Sequence, residues 1–442
     1  MVDVNQTVTK SLQSPPIHHR TVLKNGMTVI AVENSAADII AARIFIRAGG
    51  RWEPTERAGL SHLLAAVMTK GTERLSSLKI AEQVESVGAS LGTDSTPDYF
   101  LLSLKTVSAD FADLLRLCYE LLRQPTFPEA EVELERRLTL QGIRSQQEQP
   151  FSVAFEQLRQ AMYSTHPYGF SPLGTETTVA SIDRADLQDY HQTYFRPDNI
   201  VVSIAGRLAP EEAIALVEEV FGNWESPQTP RPTLDLPPVL SAPKHLCNPQ
   251  DTQQSVLMLG YLVPPVGSHS QPPYPMDYAT LKLLNTYLGN GLSSRLFVEL
   301  REKRGLAYDV SAFYPTRLDT AMFVAYMGTA PENTETALLG LRQEIERLCN
   351  TELSADELQA AKNKLLGQYA LGKQTNAQIA QVLGWYEILG LGTEFDVRFA
   401  EAIASITPAM AQAVACRYFT QPYVSLVGPS YAIEGLQVPV QN

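Results

Sequence analysis

"SIDRADLQDYHQTYF" (residues 181–195) and "SITPAMAQAVACRYF" (residues 405–419) share Ser-Ile at one end and Tyr-Phe at the same distance beyond it. Each leads into a short β-like run that closes on glycine, "VVSIAG" in one case and "YVSLVG" in the other. Upstream, "IAEQVESVGAS" and "FVELREKRGLA" align with Glu82 over Glu299 and Gly88 over Gly305. One such pair arises by chance. Three in one order at a near-constant offset predict a duplicated domain of roughly 200 residues, a period too long for a solenoid.

Length agrees, because 442 residues exceed what one ordinary hydrophobic core organises. Glu225 to Gln250 holds seven prolines, and so much fixed φ with so little periodicity predicts an extended connector. The expected organisation is therefore a tail (1–19), a first domain (20–224), a proline-rich linker (225–250) and a second domain (251–435). Within each half, β-rich runs such as "MTVIAV", "IIAARIFIRAG" and "YFLLSLKTV" alternate with amphipathic stretches such as "FADLLRLCYELLRQ". Hairpin-like strand pairs without regular βαβ units predict an α+β fold, not a doubly wound sheet.

Composition removes several functional classes. Apolar residues make up 44% of the chain and charged ones 19%, ample for a packed core and incompatible with disorder. A formal charge of −13 without a basic run repels a phosphate backbone, so nucleic acid is not an expected partner. Cys118, Cys247, Cys349 and Cys416 are scattered, with no CxxC, which suits a reducing compartment. The opening residues lack an apolar run, and no later run approaches the ~20 residues that span a bilayer. The expectation is a cytoplasmic protein with no membrane partner.

Chemistry-bearing residues enter with "GLSHLLAAVMTKGT" (59–72). Pro54 in front, Gly71 behind and Leu60, Leu63, Leu64, Val67 and Met68 at helical spacing predict a helix over residues 54–70. Position 66 lies one turn beyond His62 on the same side. An inverted zinc-peptidase helix reads H-x-x-E-H, two histidines holding the metal and the Glu activating water. Here the five residues are His62, Leu63, Leu64, Ala65 and Ala66.

That stretch, "HPYGFSPLGT" (166–175) and "GLSSRLFVELREKRGLAYDVSAFY" (291–314) together resemble the pitrilysin or insulinase-type zinc peptidases, in particular the two-domain branch related to mitochondrial processing peptidase. The resemblance runs from about residue 20 to 430 and agrees with the repeat. It implies a catalytic Glu at position 65 and a histidine ligand at 66, where this chain has Ala65 and Ala66. It also implies a glutamate ligand about 75 residues downstream, where this chain has Gly142. Glu135 shares that helical face but lies roughly 10 Å away along the axis. One imidazole does not hold zinc, so no metal and no cofactor are expected in this chain, and His62 alone reads as a helix residue bonded to a neighbour or to water. His18, His19, His166, His191, His245 and His269 show no ligand spacing.

In the resembling family an Arg and a Tyr seven residues apart in the second domain reach substrate bound at the zinc. The matching positions are Arg301 and Tyr308. By themselves they read as a solvated helix residue and a packed strand residue. In the family setting they read as donors to the oxyanion of a tetrahedral intermediate. "GNGLSS" (289–294) lacks the spacing and Lys of a phosphate loop and reads as a turn, and the long glycine-rich loop of the processing peptidase's non-catalytic subunit is absent. The resemblance implies a non-catalytic subunit of a heterodimeric zinc peptidase, with a homologous zinc-bearing partner and peptide substrates. A structural subunit like the core proteins of respiratory complexes, or a homodimer that takes peptides at a sheet edge, are the other readings.

Overall fold

The computed structural model describes residues 17–267 and 276–436; most of the expected tail and His269 lie outside them. The strands are β1 (His18–Val22), β2 (Thr28–Glu33), β3 (Ile39–Ile46), β4 (Ser90–Ser95), β5 (Phe100–Val107) and β6 (Ile200–Gly206) in one sheet. A second sheet holds β7 (His245–Pro249), β8 (Ser255–Val263), β9 (Asp309–Phe313), β10 (Ala321–Thr329) and β11 (Tyr423–Gly428). The helices that position the sites are α1 (Leu60–Val67), α2 (Ser77–Glu85), α3 (Phe111–Arg123), α4 (Glu129–Gln147) and α5 (Pro150–Tyr163). They continue as α6 (Arg184–Tyr194), α7 (Thr334–Asn350), α8 (Asn376–Ile388) and α9 (Pro408–Tyr418).

Duplication is written into the topology. The first sheet runs β1-β2-β6-β3-β5-β4 and the second β7-β11-β8-β10-β9. In each, one pair is parallel (β2 with β6, β7 with β11) and the rest are antiparallel. With β1 set aside the two orders coincide. The aligned sequence motifs fall on matching parts: α6 and α9 begin after caps Asp183 and Thr407, whose side chains accept from Asp186 N and Met410 N. Gly88 and Gly305 both sit in the left-handed region, φ 65° and 62°, ending α2 and a wide π-type helix, Phe297–Lys303. β6 and β11, the glycine-closed runs, are buried along their whole length, as strands covered on both faces must be.

The compact units are not the contiguous segments expected. One gathers the described residues of Met1–Ile143 with Ser171–Leu236 and Ala370–Phe395; the other gathers Arg144–Phe170, Pro237–Tyr369 and Asp396–Asn442. The segment 20–224 thus gives up residues 144–170 and its unit gains α8. The physical reason is where each helix buries its apolar face. In the first unit α8 lies on β3 and β6, and Gly384 approaches so closely that a Cβ there would stand 2.3 Å from Phe45 Cε2. In the second unit α5 lies on β8 and β11. Its Gln157 Nε2 donates to Ser425 Oγ at 2.7 Å, and Ser425 Oγ donates to Ala154 O at 2.7 Å.

The proline-rich stretch also differs from an open linker. Its end, His245–Pro249, is strand β7, paired in parallel with β11. Its beginning is held by the buried Arg196, whose guanidinium donates to the carbonyls of Thr229 at 2.7 Å and of Pro227 and Pro230 at 3.3 Å. Proline withholds donors but keeps its carbonyl, and Arg196 uses those acceptors. Among the described residues no single helix is long and apolar enough to cross a membrane.

Candidate functional site

The helix predicted over residues 54–70 is shorter and starts later. Thr55–Arg57 forms a 3₁₀ turn, Gly59 sits at φ 96°, and α1 begins at Leu60. A Cβ at Gly59 would lie 2.6 Å from Leu173 O, so both the backbone angle and the close approach demand glycine. No local Ser or Thr caps α1. Glu53 does so from outside: its Oε2 accepts from Gly59 N at 2.9 Å and its Oε1 from Ser61 N at 2.7 Å. Burial raises the Glu53 carboxyl above the ordinary range although hydrogen bonds from Ser61 and Gly59 oppose the shift. At the other end Thr93 Oγ1, on β4, donates to Ala65 O at 2.7 Å.

This frame fixes which face of α1 is chemical. Leu60, Leu63, Leu64 and Val67 are in the core, leaving His62 and Ala66, one turn apart, on the less buried side. Burial lowers the His62 imidazole below its ordinary value, and the carboxylates of Asp94 and Glu135 pull in the opposite direction. Glu135, on α4, spends its charge elsewhere: its Oε1 is 3.0 Å from Lys70 Nζ. Gly142, two turns further along α4, shares Leu173 as a neighbour with Gly59, which precedes α1. A Cβ at Gly142 would meet only Leu173 Cδ1, at 3.8 Å, an ordinary contact. The positions 62, 65, 66 and 142 therefore offer one imidazole, two methyl groups and an α-carbon without a side chain. Among the described residues, no group of three or more His, Cys, Asp or Glu side chains is arranged to hold a metal ion.

Three of the other histidines make local hydrogen bonds. His191 Nε2 meets Leu122 O at 2.9 Å, His166 Nδ1 accepts from Tyr168 N at 3.1 Å, and His18 Nε2 meets Thr393 Oγ1 at 2.7 Å.

The second unit presents Arg301 and Tyr308. Leu306 N donates to Leu300 O at 2.8 Å and Gly305 N to Arg301 O at 3.2 Å, so the wide helix is closed by a left-handed glycine cap. The buried Glu344 of α7 holds the segment at two points, accepting from Arg295 Nε and from Arg304 Nη2, each at 2.7 Å. On this anchored segment the Arg301 guanidinium lies 5.0 Å from the Phe297 ring centroid. Tyr308 is not a packed strand residue. It precedes edge strand β9, is 60% exposed, and lines a shallow cavity of about 500 Å³ with Glu148, Pro150, Thr252, Gln253 and Gln254. Its backbone N donates to Gly328 O at 2.9 Å, while neither its hydroxyl nor the Arg301 guanidinium has a hydrogen-bond or ion-pair partner among the described residues.

Comparison with known proteins adds a family to this geometry. The insulinase family (peptidase family M16) matches residues 28–176, and the peptidase M16 inactive domain matches residues 181–365. An uncharacterized zinc protease of Bacillus subtilis is 27% identical over 413 residues, covering 93% of this chain and 98% of its own. One of Rickettsia felis is 25% identical over 362 residues, 82% of this chain and 85% of its own. Among solved structures, a protease from Helicobacter pylori superposes with a TM-score of 0.86 at 21% identity, over 94% of this chain and all of that one. A peptidase M16 inactive domain from Pseudomonas fluorescens does so with a TM-score of 0.84 at 24% identity, over 96% of this chain and all of that one. The structural likenesses establish the fold. The zinc that such relatives' names carry does not fit the residues present here, because three protein ligands are needed and position 62 alone retains a donor.

Proposed function

The chain belongs to peptidase family M16, and from that premise we propose that it is the non-catalytic subunit of a heterodimeric zinc peptidase. A homologous partner supplies the intact H-x-x-E-H helix and the downstream glutamate. This chain contributes half of a peptide-binding chamber and the side chains of Arg301 and Tyr308. The observation that carries the reading is an asymmetry: donors are missing at positions 65, 66 and 142, whereas the Arg301/Tyr308 segment is anchored, solvent-facing and unspent. A phenol O–H without a hydrogen-bond partner among the described residues is suited to a charge that appears only in a transition state. The four cysteines are free thiols, which supports a reducing, cytoplasmic setting.

Affinity purification of this chain from its native cell tests the proposal. The expected result is a stoichiometric second M16 chain with the complete zinc helix, zinc in that chain only, and peptidase activity in the pair alone. Recovery of a membrane complex without such a chain, or hydrolysis by this chain alone, refutes it. In the reconstituted pair Tyr308→Phe is expected to slow turnover by ~10²- to 10³-fold, the usual loss for one oxyanion donor.

A further inference from the structure

The four cysteines look unrelated in sequence, yet folding brings two together. Cys349 is near the end of α7 and Cys416 near the end of α9, 67 residues apart. Cys416 Sγ donates to Cys349 O at 3.3 Å, which sets the two cysteines side by side. In the first unit the corresponding helices, α3 and α6, are joined by His191 on the Leu122 carbonyl. The second unit thus uses the Cys416 thiol on a carbonyl where the first uses an imidazole. Both cysteines line a cavity of about 500 Å³ together with Lys244, His245, Phe419 and Gln421. That volume lies in the range of small-molecule sites, about 300–1,000 Å³.

We propose that Cys349 and Cys416 form a reversible disulfide-exchange site whose co-substrate is a carboxylate-bearing low-molecular-weight disulfide received in this cavity. A Cys416 sulfur that already reaches the Cys349 backbone carbonyl is next to the residue it must join, and backbone separation is the main geometric obstacle to a disulfide. Of the charged side chains on the wall, Arg342 and Glu346 pair with each other at 2.5 Å, which leaves Lys244, without an ion-pair partner among the described residues, to supply the charge that selects an anionic ligand. Cys416 is the exposed thiol, whereas burial and the neighbouring thiol push Cys349 up to about 12; the thiolate is the attacking species, so Cys416 reacts first. Its sulfur attacks one sulfur of the small disulfide and expels one thiolate, leaving a mixed disulfide. Cys349 then gives up its proton, attacks Cys416 Sγ and expels the second thiolate. The net change is two protein thiols and one small disulfide converted to one protein disulfide and two small thiols, two electrons passing to the small molecule.

The full chain, incubated with oxidised glutathione, quenched by alkylation and mapped by mass spectrometry, tests this. A Cys349–Cys416 crosslink is expected to form at least ~10-fold faster than the glutathione adduct on Cys247, an exposed thiol whose Sγ donates to Ile433 O. Cys349→Ser is expected to trap the adduct on Cys416. Lys244→Ala is expected to slow the reaction by ~3- to 10-fold with oxidised glutathione but not with bis(2-hydroxyethyl) disulfide. Separate adducts on both cysteines without a crosslink, or a crosslink no faster than the Cys247 adduct, overturns the site. Equal slowing with both reagents overturns the anionic ligand.

Discussion

Restoring the missing donors is the sharpest test of the metal argument. Ala66 lies one turn from His62 on its less buried face, and Gly142 has room for a side chain, its nearest neighbour being Leu173 Cδ1 at 3.8 Å. Ala66→His with Gly142→Glu therefore brings the count to the three protein ligands of a catalytic zinc site. Complete structural sites bind with about 10–16 kcal/mol. A three-ligand site built without optimised supporting contacts belongs at the weak end, about 10 kcal/mol, or a Kd of ~10⁻⁷ M. Folding should not suffer, since replacing a glycine inside α4 gains about 0.5–1 kcal/mol of helix propensity. The assay is elemental analysis after dialysis against buffer holding ~1 μM free zinc, about tenfold above that Kd, followed by competition with a chromophoric chelator. The double variant is expected to retain one zinc per chain, and the natural chain and either single variant only traces. A natural chain that holds one tight zinc per molecule, lost in His62→Ala, refutes the donor count and with it the non-catalytic reading.

Other expectations follow from packing and charge. Burial pushes His191 down to about 4 from an ordinary value near 6.5. The unfolded chain then binds the proton first, so stability rises with pH over this window and is lost as pH falls from about 6.5 to 4. The loss is about 3 kcal/mol at the acid end, and denaturant titrations at pH 7 and pH 5 should show a loss that His191→Gln lacks. Gly384→Ala forces a methyl to within 2.3 Å of Phe45 Cε2 and 2.9 Å of Ser203 Cβ. A cost of about 1–3 kcal/mol, read as a lowered Tm, is expected; an unchanged Tm would place α8 elsewhere. Tyr308→Phe should leave thermal stability within about 0.5 kcal/mol of the natural chain, because its hydroxyl bonds to nothing among the described residues; marked destabilisation would return Tyr308 to a packing role.

The features legible in sequence are those whose cause is local. Ser-Ile before a cap, glycine closing a helix and glycine closing a buried strand are written within a few residues, so the repeat can be read directly. The start of α1 cannot, because it depends on the Glu53 cap and on Leu173 crowding Gly59. Nor can the assignment of α5 and α8: an amphipathic face declares that it will be buried, not on which sheet. Strand β7 is hidden among prolines because its pairing partner β11 lies far along the chain. Cys349 and Cys416 are hidden for the same reason. Tyr308, judged alone, reads as packed, since apolar strand neighbours say nothing about an edge position.

Electrostatics shows that the side chains of the first unit need no cation to balance them. A complete H-x-x-E-H helix with its downstream glutamate gathers acidic side chains that a metal neutralises, and without that metal their mutual proximity and desolvation would oppose folding. Here each source of strain is absent or matched. Positions 65 and 142 carry no charge, Glu135 is neutralised by Lys70 at 3.0 Å, and burial favours the uncharged form of His62. The lost coordination bonds leave no mechanical gap either, because Glu53 and Thr93 already hold the two ends of α1. Ala65→Glu combined with Gly142→Glu, with Ala66 left in place, would therefore add two carboxylates with no new cation, since Lys70 is already paired with Glu135 and burial disfavours the charged form of His62. That double variant is expected to be less stable than the natural chain at pH 7 and to recover as pH falls and the carboxylates protonate, a dependence followed by denaturant titration; equal stability at both pH values would show that the charges never meet.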